Sequence, residues 1–281
     1  MSAGGVPTVV APAALSLLLQ EPRYEVIPAR GIEQKTAVLP AGTTVTVTAS
    51  PSLGLDRTLE ASVALAARGL RVVPHFSARM VAGRDHLRRL VDRLEGTDIR
   101  EVFVVGGDAD PPAGDFVDAG DLLEELAAMT HPFTRIGIGG YPEGHPLIPD
   151  DKLLAALKRK QPYATHLVTQ LCFDAGALAR WVGAIRAEGI ELPVVVGLPG
   201  VVERRKLAEI SLKAGVGASL SYLRKHGRQL VTLARSRRYD PTGLAREVAE
   251  YAADGSLDIR GAHLFTFNQV EPTLDWVQRS S

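Results

Sequence analysis

The chain has 281 residues, enough for one large domain or two small ones, and 46 % of them are hydrophobic, which suffices for a substantial core. Its 32 basic and 32 acidic side chains cancel, and with no basic run the composition argues against a nucleic-acid partner. A single cysteine, Cys172, excludes an internal disulfide and a zinc site built on paired cysteines and suits a reducing cytoplasm; no apolar run approaches ~18 residues, so no membrane span is expected.

Residues 1–12 carry no charged side chain, and the apolar segment that follows, 13–19, has no basic region before it. This reads as a frayed tail and a short helix over residues 1–22 rather than a signal peptide, with the catalytic domain in residues 23–281. Strands are expected at residues 24–28 and 44–49, the second alternating Thr and Val. Leu59, Val63, Ala66 and Leu70 recur at helical spacing, and Gly69 punctuates that helix. A third strand covers residues 71–76, with Pro74 placed towards its end because it cannot donate to a ladder. Leu87, Leu90, Val91 and Leu94 then form one apolar helical stripe.

The fourth strand, Glu101-Val102-Phe103-Val104-Val105, shows no alternating polar face and reads as buried on both sides. It stops at Gly106-Gly107, followed by Asp108 and, three residues on, by Pro111-Pro112. A carboxylate at the tip of a buried parallel strand is where α/β enzymes keep their chemistry. The pattern then repeats, with helices around Leu122–Met129, Leu153–Leu157 and Leu178–Ile185, and strands at residues 135–140, 166–172, 193–198 and 262–267. Residues 203–253 read as a long helical stretch with room for extra helices between strands 7 and 8.

Eight strands alternating with helices is the count of a (β/α)8 TIM barrel, an α/β fold. The competitor is an open doubly wound sheet. The barrel is preferred because the alternation never breaks and no Gly/Ser/Pro linker divides the chain. In a barrel the strand tips converge on one mouth, which would gather Glu25, Thr48, His75, Asp108, Tyr141, Gln170, Pro199-Gly200 and Thr266. Taken singly, each is more often a hydrogen-bonded structural residue than a catalyst. Two of them go further. Glu25 stands among Tyr24, Val26 and Ile27, where desolvation favours the protonated acid, whereas Asp108 stands among glycine backbone N–H groups that favour the carboxylate. Opposed environments for two carboxyl groups suggest one acid and one charge stabiliser. Lys158-Arg159-Lys160 closes a helix; complementing the dipole is its ordinary role, a grip on phosphate its functional one. Gly-x-Gly-x-x-Gly, His-Glu-x-x-His, a P-loop and Gly-x-Ser-x-Gly are all missing.

One ordered set of segments resembles the methylenetetrahydrofolate reductase family: Tyr24-Glu25-Val26-Ile27-Pro28, Pro74-His75-Phe76, Gly107-Asp108, Gly140-Tyr141-Pro142-Glu143-Gly144-His145-Pro146, Leu157-Lys158-Arg159-Lys160, Thr169-Gln170-Leu171-Cys172-Phe173-Asp174, Pro199-Gly200 and His263-Leu264-Phe265-Thr266-Phe267-Asn268. Each segment alone is weak; one per strand tip, in order over residues 24–268, is specific. The resemblance implies a TIM barrel that reduces 5,10-methylenetetrahydrofolate to 5-methyltetrahydrofolate. It implies that Glu25 protonates N10 of the folate, that Asp108 stabilises the resulting iminium cation, and that Gln170 hydrogen-bonds the pterin. Thr48, His75, Tyr141, His145, Arg159 and Lys160 match positions that face the flavin in the family.

Departures from the family pattern cluster on that flavin side. Gly106 stands where the family has an arginine, Ala156 where it has an asparagine, Leu153 near an expected aspartate, and Ala49-Ser50-Pro51 in place of a Tyr-Gly. Val201-Val202-Glu203-Arg204-Arg205-Lys206 replaces the apolar-aromatic loop that stacks nicotinamide. The expectation is therefore a member without FAD, in which NADH or NADPH delivers hydride directly to the folate. Gln170, Tyr141, Thr48, His75 and Phe265 are then expected at the substrate, and His145, Arg159, Lys160 and Arg204 at the dinucleotide. A cytoplasmic enzyme of one-carbon metabolism follows, with a small-molecule folate as partner and homo-oligomer formation left open. Two other readings stand beside it: a reduced-folate binding protein without catalysis, and a flavin-dependent TIM-barrel oxidoreductase of the proline-dehydrogenase kind.

Overall fold

A computed structural model describes residues 12–207 and 237–281. Eight parallel strands run β1 (Arg23–Val26), β2 (Thr44–Val47), β3 (Arg71–Ser77), β4 (Glu101–Val105), β5 (Arg135–Gly140), β6 (His166–Thr169), β7 (Val194–Pro199) and β8 (Ile259–Phe265). They hydrogen-bond in sequence order, and β8 returns to β1, pairing Glu25 with Phe265 and Arg23 with His263. This is the closed (β/α)8 barrel that the alternation predicts.

The helices are α1 (Pro12–Leu18), α2 (Ile32–Lys35), α3 (Gly54–Ala66), α4 (Arg84–Asp92), α5 (Ala119–Ala127), α6 (Asp150–Lys160), α7 (Ala175–Ala187), α8 (Thr242–Ala253) and α9 (Val270–Ser280). Each presents an apolar face inward. On α3, Leu55, Leu59 and Leu65 are buried, each worth about 2 kcal/mol of transfer free energy. Local chemistry sets the helix starts. Asp118 caps α5 by accepting from Gly120 N and Asp121 N, and Asp174 caps α7 by accepting from Ala177 N. Helix α1 packs on α8 and β8, which realises the short helix expected within residues 1–22. Residues 1–11 and 208–236, including part of the long helical stretch expected before strand 8, lie outside the described residues.

Three expectations need correction. Pro74 lies inside β3 rather than at its end. It is tolerated because β3 pairs with β2 through residues 71–74 and with β4 from His75 onward, so the missing N–H falls where one ladder hands over to the next. Strand β4 is not buried on both sides. Val102 and Val104 are buried, while Glu101, Phe103 and Val105 alternate with them and face the cavities at the two ends of the barrel. Strand β8 begins at Ile259, three residues before the expected start, and is followed by α9, which the sequence reading did not contain. Beyond β7, Tyr239 N donates to Val202 O at 2.8 Å and Arg204 N to Arg237 O at 3.1 Å, an antiparallel clasp beside a small cluster of Leu171, Phe173, Val202, Leu207 and Phe267.

Candidate active site

The C-terminal ends of the strands enclose a cavity of about 500 Å³. Glu25, Thr48, His75, Asp108, Tyr141, Gln170 and Phe265 all line it, so seven of the expected site residues converge. Phe103, Phe267 and His263 line it too and were not singled out from sequence, although residues 263, 265 and 267 alternate and therefore face the same way.

Glu25 sits on β1 with its side chain 14 % exposed. The sequence pictured this carboxyl group without a partner; the fold supplies one. Its Oε2 is 3.0 Å from His263 Nε2 and 4.0 Å from His75 Nε2. Both imidazoles are buried, and burial pushes His75 down to about 4, against which the Glu25 charge acts only in part. His75 packs against Phe103 with ring centroids 4.7 Å apart, and His263 meets Phe265 edge-on at 4.9 Å. The Glu25 backbone is fixed as well, since Thr266 Oγ1 donates to its carbonyl at 2.6 Å.

Asp108 follows Gly107, whose φ of +86° and position against Ser77 leave no room for a side chain. The expected cradle of glycine N–H groups is not formed: among the described residues Asp108 makes no hydrogen bond, and its carboxylate stands open to the cavity. Its field is felt by Tyr141, whose phenol is pushed up first by burial and then by Asp108. Gln170 is oriented by its own chain, because Oε1 accepts from Leu171 N at 2.8 Å and leaves the NH2 group for a ligand. Glu143 ties the loop after β5 to the loop after β6 by accepting from Phe173 N at 2.8 Å and Asp174 N at 3.1 Å. Burial, then Glu143, pushes the Cys172 thiol up, so it is no nucleophile.

The four residues expected at the dinucleotide do not line this cavity. His145 packs edge-on against Tyr141, 5.2 Å between centroids, on the loop above it. Arg159 departs most from expectation. Its guanidinium meets Asp118 at 3.2 Å, Asp121 at 2.8 Å and Glu124 at 2.9 Å, so its donors are already taken by the acidic face of α5. Lys160 is half-buried, and burial pushes it down to about 8. Arg204 lies at the clasp beyond β7.

A second cavity of about 680 Å³ opens at the other end of the barrel, lined by Arg23, Arg71, Arg135, Arg260 and Glu101 among others. Its cations are largely committed: Arg23 and Arg135 both pair with Glu101, Arg71 with Glu21 and Arg260 with Asp258. The smaller mouth cavity, with an acid, an open carboxylate, an amide and aromatic walls, is the one equipped for chemistry on an organic substrate. No cluster among the described residues could hold a metal ion, and no described helix is long and apolar enough to cross a membrane.

Residues 26–220 match the family model described as methylenetetrahydrofolate reductase. The chain is 34 % identical over 92 residues to methylenetetrahydrofolate reductase 2 of Saccharomyces cerevisiae, covering 31 % of this chain and 15 % of that one. It is 27 % identical over 150 residues to a probable methylenetetrahydrofolate reductase (NADPH) of Caenorhabditis elegans, covering 51 % and 22 %. These relatives are thus far longer than the segment they share with it. Among solved structures, an uncharacterized Clostridium thermocellum protein that binds two copies of 5-methyl-5,6,7,8-tetrahydrofolic acid superposes with a TM-score of 0.63 over 96 % of this chain and 98 % of its own, at 12 % identity.

Proposed function

The chain belongs to the methylenetetrahydrofolate reductase family, and from that premise we propose that it reduces 5,10-methylenetetrahydrofolate to 5-methyltetrahydrofolate with a hydride from NADH or NADPH, transferred without bound FAD. One observation carries the reading: Glu25, Asp108 and Gln170 line a single cavity at the barrel mouth. The Clostridium protein, whose fold is the same, binds a methylated tetrahydrofolate, which is the chemistry of the product.

In this reading Glu25 gives its proton to N10 and the bond from N10 to the methylene carbon breaks, leaving a cationic iminium at N5. The open carboxylate of Asp108 stabilises that cation through space. Hydride from the dihydronicotinamide then adds to the methylene carbon. One hydride and one proton turn the methylene bridge into a methyl group, and the nicotinamide leaves oxidised. Gln170 offers its NH2 group to the pterin, while Phe103, Phe265 and Phe267 provide apolar walls. Val105, Val168 and Leu171 add apolar surface that limits water at the reacting carbon.

The flavin of the family does not fit the residues present. Gly106 has no side chain to reach a phosphate, Leu153 and Ala156 are aliphatic, and Arg159 is held by three carboxylates. Pro51 and its neighbours Ala49 and Ser50 form part of the cavity wall where the family has Tyr-Gly. The hydride therefore passes from the dihydronicotinamide to the folate with no flavin between them.

The test is the loss of dihydronicotinamide absorbance with purified protein and methylenetetrahydrofolate, without added FAD, and detection of 5-methyltetrahydrofolate by mass spectrometry. Turnover is expected, with no flavin absorbance in the purified protein. Tight folate binding without turnover would instead establish a folate-binding protein, and turnover that depends on added FAD would overturn the direct transfer.

A further inference from the structure

We infer that His263 is a positioning residue for Glu25: its Nε2–H holds Oε2 of the carboxyl group and thereby leaves Oε1 as the oxygen that carries the transferable proton into the cavity. The inference rests on the reduction proposed above and adds to it a residue that acts through the acid.

One ring nitrogen of His263 is unused. Nδ1 is buried and has no hydrogen-bond partner. A hydrogen on Nδ1 would be an orphaned buried donor, which folded proteins avoid more strictly than a bare acceptor. The ring is therefore held in the tautomer with its hydrogen on Nε2. That nitrogen is 3.0 Å from Glu25 Oε2, so the histidine donates and Oε2 accepts.

The consequence falls on the other oxygen. A carboxylic acid carries one hydrogen on one of its two oxygens. With Oε2 already receiving the hydrogen of His263, a second hydrogen there would crowd the first. Oε1 makes no hydrogen bond with the described residues, and Glu25 lines the cavity. The acid hydrogen thus resides on the oxygen that a ligand can reach.

His75 does not compete for this role. Its Nε2 is 4.0 Å from Oε2, beyond hydrogen-bond reach, and has no partner. Burial also keeps its ring neutral at neutral pH. The barrel holds His263 in place from behind. Phe265 packs edge-on against its ring, and β8 pairs His263 with Gly197 of β7. A Cβ at Gly197 would lie 2.3 Å from Thr169 O and 2.8 Å from the Phe265 ring, so only glycine lets β7 close on this pair.

Two measurements test the inference. In the wild-type protein labelled with 15N-histidine, the His263 resonances, assigned by their loss in His263→Gln, are expected to report the Nε2–H tautomer; the Nδ1–H tautomer overturns the inference. In the turnover assay, His263→Leu is expected to lower kcat roughly 10²-fold with KM for the folate within about threefold, the size of effect of an impaired proton donor. His263→Gln, whose side-chain amide can still donate to Oε2, is expected to recover at least about tenfold of that loss. Should His263→Leu fail to fold, the tautomer and the Gln variant still decide: a Gln variant more than about 10²-fold below wild type overturns the inference. A wild type without turnover overturns the proposed reduction and this inference with it. A wild type that turns over while His263→Leu keeps its kcat within about threefold overturns this inference alone.

Discussion

The side-chain amide of Asn268 pairs with both backbone groups of Ile27, accepting from its N–H at 2.8 Å and donating to its carbonyl at 3.0 Å. A side chain thus continues the β1–β8 pairing past the end of both strands, two residues beyond Glu25. It does so from a left-handed backbone, with φ of +48° at Phe267 and +63° at Asn268. Asparagine tolerates that conformation better than most residues, and here it returns two hydrogen bonds for the strain.

Asn268→Ala is therefore expected to lose about 3–4 kcal/mol of stability: about 1 kcal/mol for each hydrogen bond and a further 1–2 for alanine in the left-handed region. Asn268→Gly should recover the backbone part alone. Urea unfolding of the three proteins reads this directly. Equal midpoints for wild type and Asn268→Ala would show that the clamp contributes nothing.

Replacing the two carboxyl groups separates their roles. Glu25→Gln keeps the shape and removes the proton, so turnover should fall about 10²–10⁴-fold while folate affinity stays within about tenfold. In the proposed reaction Asp108→Asn removes a charge that would meet both the bound ring system and the cation derived from it, so affinity and rate should fall together. Steady-state kinetics with a separate titration of 5-methyltetrahydrofolate distinguishes the two. Full activity in Glu25→Gln would remove the acid from the mechanism.

The barrel was legible because its signal is local: Val-rich strands, helical stripes and glycine stops recur in order without a break. The strand tips were legible for the same reason, and six of them meet at one cavity. What escaped was pairing over long sequence distances. Nothing near Glu25 announces His263, 238 residues away. Lys158-Arg159-Lys160 looked like a phosphate grip because the acidic stripe of α5 that answers Arg159 lies 35–41 residues upstream. Likewise the Glu101 carboxylate, read as an ordinary strand start, closes on Arg23 across the barrel floor.

That floor and His75 make stability pH-dependent in two windows. Burial alone would raise the Glu101 carboxyl group, but the neighbouring His166 and the charge and hydrogen bond of Arg23 outweigh it and hold it at about 2 against an ordinary 4.5. The unfolded chain takes up that proton first, so the contribution of Glu101 is complete above 4.5 and is lost as pH falls towards 2. His75, pushed by burial from 6.5 to about 4, remains neutral in the fold while the unfolded chain binds a proton, so stability also falls with acid across that higher window. His75→Gln is expected to flatten the decline between 6.5 and about 4 and leave the lower one. Glu101→Gln should remove the lower decline and cost about 3–5 kcal/mol at neutral pH, because Arg23 is left buried without its counter-charge. Urea unfolding against pH checks both; an unchanged upper slope in His75→Gln would contradict the assignment.

Arg159 offers a test between a cofactor contact and a strut. Its guanidinium bridges Asp118, Asp121 and Glu124, and Asp118 also caps α5, so the group joins the end of α6 to the start of its neighbour. The side chain is 39 % exposed, and each such pair is worth no more than about 1 kcal/mol. Arg159→Ala is therefore expected to cost about 1–2 kcal/mol of stability, less at high salt, and to leave KM for the dinucleotide within about twofold. Lys160, one residue on, makes no ion pair with the described residues, and in the proposed reaction it would be the cation of that run available to a phosphate. Lys160→Ala should consequently raise KM for the dinucleotide more than Arg159→Ala does. The reverse order would return Arg159 to the cofactor and show that the acidic face of α5 gives it up when the dinucleotide binds.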